Sequence, residues 1–166
     1  LGQGPYLVAE ADESDGSFHH LTPTVVVVTN IDAEHLDFYT GGIEQIRKTF
    51  IEFINRIPFY GLAILCSDHP GVQAILPDVE KRYITYGLNP QADIRAANLS
   101  FEGPNTKFDL IIRGELVGPC ILPMVGTHNV QNALAALALA EELGIDAKSA
   151  IEGIEAFDGV QRRFTK

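Results

Sequence analysis

Four consecutive valines, Val25–Val28, are the most constraining segment of this chain. β-branched side chains favour extended backbone, and a run without polar alternation suits a strand covered on both faces, as in a parallel sheet flanked by helices. The run leads directly into Thr29, Asn30, Ile31, Asp32, Ala33, Glu34, His35, Leu36 and Asp37. Oxygen and nitrogen donors thus gather beyond the carboxyl end of a strand, where open α/β sheets bind ligands. Two further segments have this layout. Residues 6–9 read as a short strand ending on Glu10, Asp12, Glu13 and Asp15, and Gly126-Thr127-His128-Asn129 opens an Ala-rich helix with amide side chains. If the first two strands are adjacent, the corners converge on one crevice for a cation and a phosphate-bearing ligand.

The rest of the chain supplies the layers such a crevice needs. Ile43, Ile46, Phe50, Phe53, Ile54 and Ile57 recur at three- and four-residue steps, which predicts a helix opened by Gly41-Gly42 and ended by Pro58. A strand over 62–66 follows, completing a strand–helix–strand crossover. A short helix over 70–76 and a strand over 82–86 come next. From residue 92 the texture changes to short strand-like segments at 93–99, 108–113 and 117–122, separated by Gly103-Pro104-Asn105 and Arg113-Gly114-Glu115 turns. They predict a small antiparallel sheet over about 92–123, packed beside the main one. Helices return at 129–143, closed by Gly144, and at 147–157, capped by Asp146. The fold class is α/β, a mainly parallel sheet flanked by helices with a small antiparallel subregion, in one domain spanning 1–166.

Composition narrows the partners. At 166 residues, with 46% hydrophobic and 20% charged residues, the chain can bury a sizeable core. A net charge of −10 argues against nucleic acid or an anionic membrane as the main partner. No apolar stretch is long enough for a membrane span and the start lacks a signal-peptide layout, so a cytoplasmic location is expected. Cys66 and Cys120 have no metal-ligand spacing and read as reduced packing residues.

Several side chains admit both a chemical and a structural reading. The carboxylates at 10, 12, 13 and 15 repel one another unless solvated or offset by a cation. His35 is a metal ligand or a hydrogen-bonded structural residue, and Asp37 either orients its ring or caps a helix. Thr29 and Asn30 contact phosphate or end the sheet. His128, Asn129 and Asn132 stand in the first turn of a helix, where Asn129 is a cap or, with Asn132, a ligand contact. Arg162 and Arg163 are solvated or neutralise an anion. His19 and His20 read as surface residues.

In this order and spacing, the three corners, with Asn55-Arg56-Ile57-Pro58-Phe59-Tyr60-Gly61 and Gly159-Val160-Gln161-Arg162-Arg163-Phe164, resemble the central ATP-binding domain of the Mur ligase family. The form Glu10-Ala11-Asp12-Glu13-Ser14-Asp15-Gly16-Ser17-Phe18 is most similar to the branch that joins L-alanine to UDP-N-acetylmuramate. The resemblance implies an ATP-dependent amide ligase of peptidoglycan precursor synthesis working through an acyl phosphate. It places Mg2+ on Glu10 and His35, nucleotide contacts on Asn30, His128, Asn129 and Asn132, and phosphate neutralisation on Arg163. An asparagine amide offers the donor and acceptor that the edge of adenine requires. The family's Gly-Lys-Thr phosphate loop has no counterpart here, since the sequence holds no Gly-Lys dipeptide. The chain, which starts at Leu1, is read as a piece of a longer protein, and this piece alone is expected to be inactive. The alternatives are another ligase of the family, one that reuses murein tripeptide, or a catalytically silent scaffold.

Overall fold

The computed structural model describes residues 4–11, 18, 21–33, 39 and 41–157. Six strands form one sheet in sequence order: β1 (Val25–Val28), β2 (Leu62–Cys66), β3 (Tyr83–Gly87), β4 (Ile94–Glu102), β5 (Asn105–Ile112) and β6 (Glu115–Leu122). The β1–β2, β2–β3 and β3–β4 pairs are parallel, whereas β4–β5 and β5–β6 are antiparallel. Among the described residues four helices accompany them, α1 (Gly42–Ile54), α2 (Pro70–Ile75), α3 (Thr127–Glu142) and α4 (Ala147–Glu155), with a 3-10 turn at Leu76–Asp78 after α2.

Side chains alternate across a strand, so β2 serves two cores at once. Leu62, Ile64 and Cys66 face one cluster with Val130, Leu134, Leu137 and Ala138 of α3 and with Phe108, Leu110 and Cys120 of the antiparallel strands. Ala63 and Leu65 face the other, with Val26, Val28, Ile46, Phe53, Ile54 and Val72. All five β2 residues are buried. On α3 the buried Val130, Ala133, Leu134, Leu137 and Ala138 recur at helical spacing, and this stripe lays the helix across β2, β3 and β4.

The helix boundaries follow local chemistry. Gln45 reaches back so that its Oε1 accepts from the Gly41 amide at 2.8 Å, fastening the start of α1. The helix ends at Ile54, ahead of the expected stop at Pro58, because the Asn55 side chain bridges the distant Asp78–Glu80 backbone: Nδ2 donates to Asp78 O and Oδ1 accepts from Glu80 N. Asp146 caps α4 through Ser149 N at 3.0 Å, and Gly144 takes a left-handed φ of 73° after α3, both as expected.

Three expectations differ from the observed fold. The antiparallel strands are not a second sheet packed beside the first; they continue it through the short β3–β4 ladder, Tyr86↔Ile94 and Gly87↔Arg95. Residues 6–9 form no strand: Tyr6, Leu7 and Val8 are exposed, and no described residue pairs with them. Without a ladder or an apolar cover, so short a segment cannot offset its ordering entropy. The valine run is not covered on both faces along its length, since Val26 and Val28 are buried but Val27 is 40% exposed at the edge of the sheet.

The packing predicts the effect of truncation in the α3 core. Leu134→Ala, at a fully buried position, is expected to lower unfolding free energy by about 2–5 kcal/mol without changing the denaturant slope, as read by urea titration.

Candidate functional site

The carboxyl ends of β1 and β2 and the first turns of α3 enclose a cavity of about 270 Å³. Its lining residues are Thr29, Asn30, Cys66, Asp68, His69, Tyr86, His128, Gln131 and Asn132. Positions 128, 131 and 132 share one face of α3 by the three- and four-residue rule, so three polar side chains look into one space. Asn30, His128 and Asn132, candidates from sequence, are thereby brought together.

The β2 corner organises the walls. His69 is the N-cap of α2; its Nδ1 accepts from Gly71 N at 3.2 Å and from Ile31 N at 3.4 Å. With Nδ1 an acceptor, the ring proton is on Nε2, which donates to Asp32 Oδ1 at 3.2 Å. One imidazole thus ties the β1 corner to the start of α2. The approach requires glycine at 71, where a Cβ would stand 2.2 Å from the Ile31 carbonyl oxygen. Asp68 performs the equivalent task on the other side. Its Oδ2 accepts from Leu88 N and from Gln131 Nε2, each at 2.7 Å, and its Oδ1 from Asn89 N at 2.9 Å.

The remaining candidates divide by placement. Asn129 is buried and points away from the cavity lining: Nδ2 donates to Val125 O at 2.9 Å, while the cap position of α3 belongs to Gly126. Asn30 is engaged with its neighbours, accepting from Thr29 Oγ1 and donating to Asp32 Oδ2. His128 and Asn132 are exposed. Glu10 lies on the exposed segment outside the cavity. His35, Asp37, Arg162 and Arg163 lie outside the described residues, as do Asp12, Glu13, Asp15, His19 and His20. Among the described residues no group of three or more His, Cys, Asp or Glu side chains is placed to hold a metal ion, and no helix is long and apolar enough to cross a membrane.

Sequence reading passed over Asp68, His69 and Gln131. The signal was present, because Ser67-Asp68-His69-Pro70 follows β2 as Thr29-Asn30 follows β1. Gln131 carried no such signal; an internal helical glutamine is a common surface residue, and only the fold sets it against Asp68.

The cavity floor is neutral. Burial pushes the Cys66 thiol up, and the Tyr86 hydroxyl is pushed well up by burial and by the neighbouring thiol. Among the described residues no lysine or arginine lines the cavity, and Asp68 contributes a carboxylate. These described side chains offer a ligand hydrogen-bonding groups rather than positive charge.

A family model described as Mur ligase middle domain matches residues 4–140. The chain is 58% identical to the UDP-N-acetylmuramate–L-alanine ligase of Geobacter sulfurreducens and 56% identical to that of Pelobacter propionicus, in each case over 99% of this chain and 36% of the relative. It therefore spans about a third of the length of these relatives. Among solved structures, the UDP-N-acetylmuramate-alanine ligase MurC of Thermotoga maritima superposes with a TM-score of 0.78 at 26% identity, covering 93% of this chain and 34% of that one. The UDP-N-acetylmuramate:L-alanyl-γ-D-glutamyl-meso-diaminopimelate ligase of Neisseria meningitides gives 0.83 at 26% identity, covering 97% and 50%.

Two outcomes follow from this geometry. Gly71→Ala is expected to destabilise by roughly 1–3 kcal/mol in urea titration, because both atoms of the clash belong to or adjoin backbone. The second concerns alkaline pH. Burial holds the Cys120 thiol up at about 12 and raises Cys66, so above the ordinary thiol range of about 8.5 the unfolded chain releases protons that the fold retains. Unfolding free energy should fall as pH rises from about 8 to 10, and Cys120→Val should flatten that slope.

Proposed function

The chain belongs to the Mur ligase family, in which it is the middle domain, and from that premise we propose that the full-length protein joins L-alanine to UDP-N-acetylmuramate at the expense of ATP. The observation that carries this reading is the cavity at the carboxyl end of the sheet, with His128, Asn132 and Asn30 on its walls, in a chain 58% identical to a ligase of that name. The same fold occurs in the tripeptide-adding ligase, so architecture does not choose the amino acid; sequence identity favours L-alanine.

The lining fits the base and ribose of a nucleotide better than its phosphates. At about 270 Å³ the cavity is slightly below the ~300–1,000 Å³ of whole-ligand clefts, which suits part of a nucleotide. Asn132, His128 and Asn30 would hold that part, and Asn129 would fix the start of α3 through its bond to Val125 O. Glu10 and His35 would hold Mg2+ together with phosphate oxygens, and Arg163 would neutralise phosphate charge. ATP would transfer its γ-phosphoryl group to the lactyl carboxylate with release of ADP, and attack of the L-alanine amine on the resulting acyl phosphate would form the amide C–N bond as the C–O bond to phosphate breaks, releasing phosphate and the amine proton. The contribution of this chain is positional and electrostatic; no side chain serves as a nucleophile. The 166-residue piece alone would not turn over, and a cytoplasmic location follows from the soluble nucleotide substrates.

The test is phosphate release by the full-length protein with Mg·ATP and UDP-N-acetylmuramate. Release is expected with L-alanine and not with the L-alanyl-γ-D-glutamyl-meso-diaminopimelate tripeptide; the reverse preference overturns the reading, and absence of Mg-dependent ATP binding makes the domain a silent scaffold. Asn132→Ala should raise KM for ATP about tenfold while leaving KM for UDP-N-acetylmuramate unchanged.

A further inference from the structure

We propose that Gln131 discriminates the nucleotide base, presenting its side-chain oxygen as a fixed acceptor to an exocyclic amine, and that Asp68 is the positioning residue that fixes it. The inference rests on the nucleotide reading given above and adds a base-specific residue to it.

The argument turns on what a glutamine amide can do. Its oxygen only accepts and its nitrogen only donates, so a free glutamine can rotate and serve either kind of ligand group. Gln131 is not free. Its Nε2 donates to Asp68 Oδ2 at 2.7 Å, and an ionised carboxylate has no proton with which to satisfy the amide oxygen instead. The carboxylate cannot turn away, because the same Oδ2 accepts from Leu88 N at 2.7 Å and Oδ1 accepts from Asn89 N at 2.9 Å. The β3–β4 connection thus locks Asp68, and Asp68 locks the amide.

Even the backbone accommodates this arrangement. Gly87 adopts φ 154°, and a Cβ there would lie 2.5 Å from Asp68 Oδ1, so the carboxylate occupies space that any other residue at 87 would take. The bond to Asp68 uses one N–H of Nε2 and fixes which end of the amide lies where: Oε1, which has no hydrogen bond within the described residues, stays an acceptor at its place, with the second N–H of Nε2 beside it. Asn132 carries no comparable bond in the described residues, so its amide remains able to turn to suit donor or acceptor.

A cavity wall with a fixed acceptor accepts a ring bearing an exocyclic amine and penalises one bearing a carbonyl at that place. The carbonyl would face an oxygen without a proton between them, leaving two acceptors unsatisfied and mutually repelling. The chemistry therefore selects a 6-amino purine over a 6-oxo purine.

The test measures equilibrium binding of Mg·ATP and Mg·ITP, which differ at that exocyclic position, to the full-length protein. The wild-type protein is expected to bind ATP at least tenfold tighter than ITP. Gln131→Leu, and Gln131→Met as a second variant of similar volume, should lower the ATP:ITP affinity ratio about tenfold, mainly by weakening ATP. Asp68→Asn, which lets the amide turn over, should lower the same ratio, and adding Gln131→Leu to it should lower the ratio no further. An unchanged ratio in both Gln131 variants, with ATP still bound, overturns this inference and leaves the nucleotide reading standing. Failure of the wild-type protein to bind either nucleotide overturns both.

Discussion

Burial of β2 on both faces is the constraint on which the rest of the molecule depends. Leu62, Ile64 and Cys66 anchor α3 and the antiparallel strands, while Ala63 and Leu65 anchor α1 and α2. A strand held from both sides has little freedom at its carboxyl end. That is why Ser67, Asp68 and His69 can act as a rigid bracket, each satisfied by backbone groups of a different neighbour: Tyr86 O for Ser67, the 88–89 amides for Asp68, and Ile31 N with Gly71 N for His69. The polar corner is ordered by the apolar strand beneath it.

The polar side chains at this corner bond mainly to backbone, and this decides what they contribute. Buried or half-buried backbone donors need partners, and side chains that supply them fix loops at little cost in conformational freedom. His69 holds the β1 corner and Asp68 holds the β3–β4 connection, so cavity walls from three separate stretches of chain are tied together by side-chain bonds. The ion pairs at the far end of α3 add less. Arg82 with Glu142 and Arg113 with Glu141 are partly solvated pairs, of the kind that contributes at most about 1 kcal/mol each.

Much of this was legible in the sequence, for identifiable reasons. The apolar run at 62–66 and the helical spacing from Ile43 to Ile57 are periodic signals that tertiary structure had no cause to override. Glycine and asparagine turns located the hairpins at 103–105 and 113–115. What composition could not reveal was how the two halves of the sheet join, since that depends on only two registered pairs after Gly87. Residues 6–9 looked like a strand because their side chains favour one, but strand formation needs a neighbour, and a single sequence does not say whether one is present. At the site, His128, Asn132 and Asn30 were found by the rule that ligands gather at strand ends and helix starts. Asp68 and His69 obey the same rule one strand later. Gln131 became visible only through its partner.

The junction between β3 and β4 has a mechanical consequence. The parallel half carries the cavity, the antiparallel half extends away from it, and the ladder connecting them is two residue pairs long. The ladder is therefore a slender link between the halves, and most of what joins them is packing. The component spanning both halves is α3, which packs on β2, β3 and β4 and whose first turns form a cavity wall. Its buried stripe belongs to the same core cluster as strands of both halves, so that one helix ties the cavity wall to the hairpins as well as to the parallel strands.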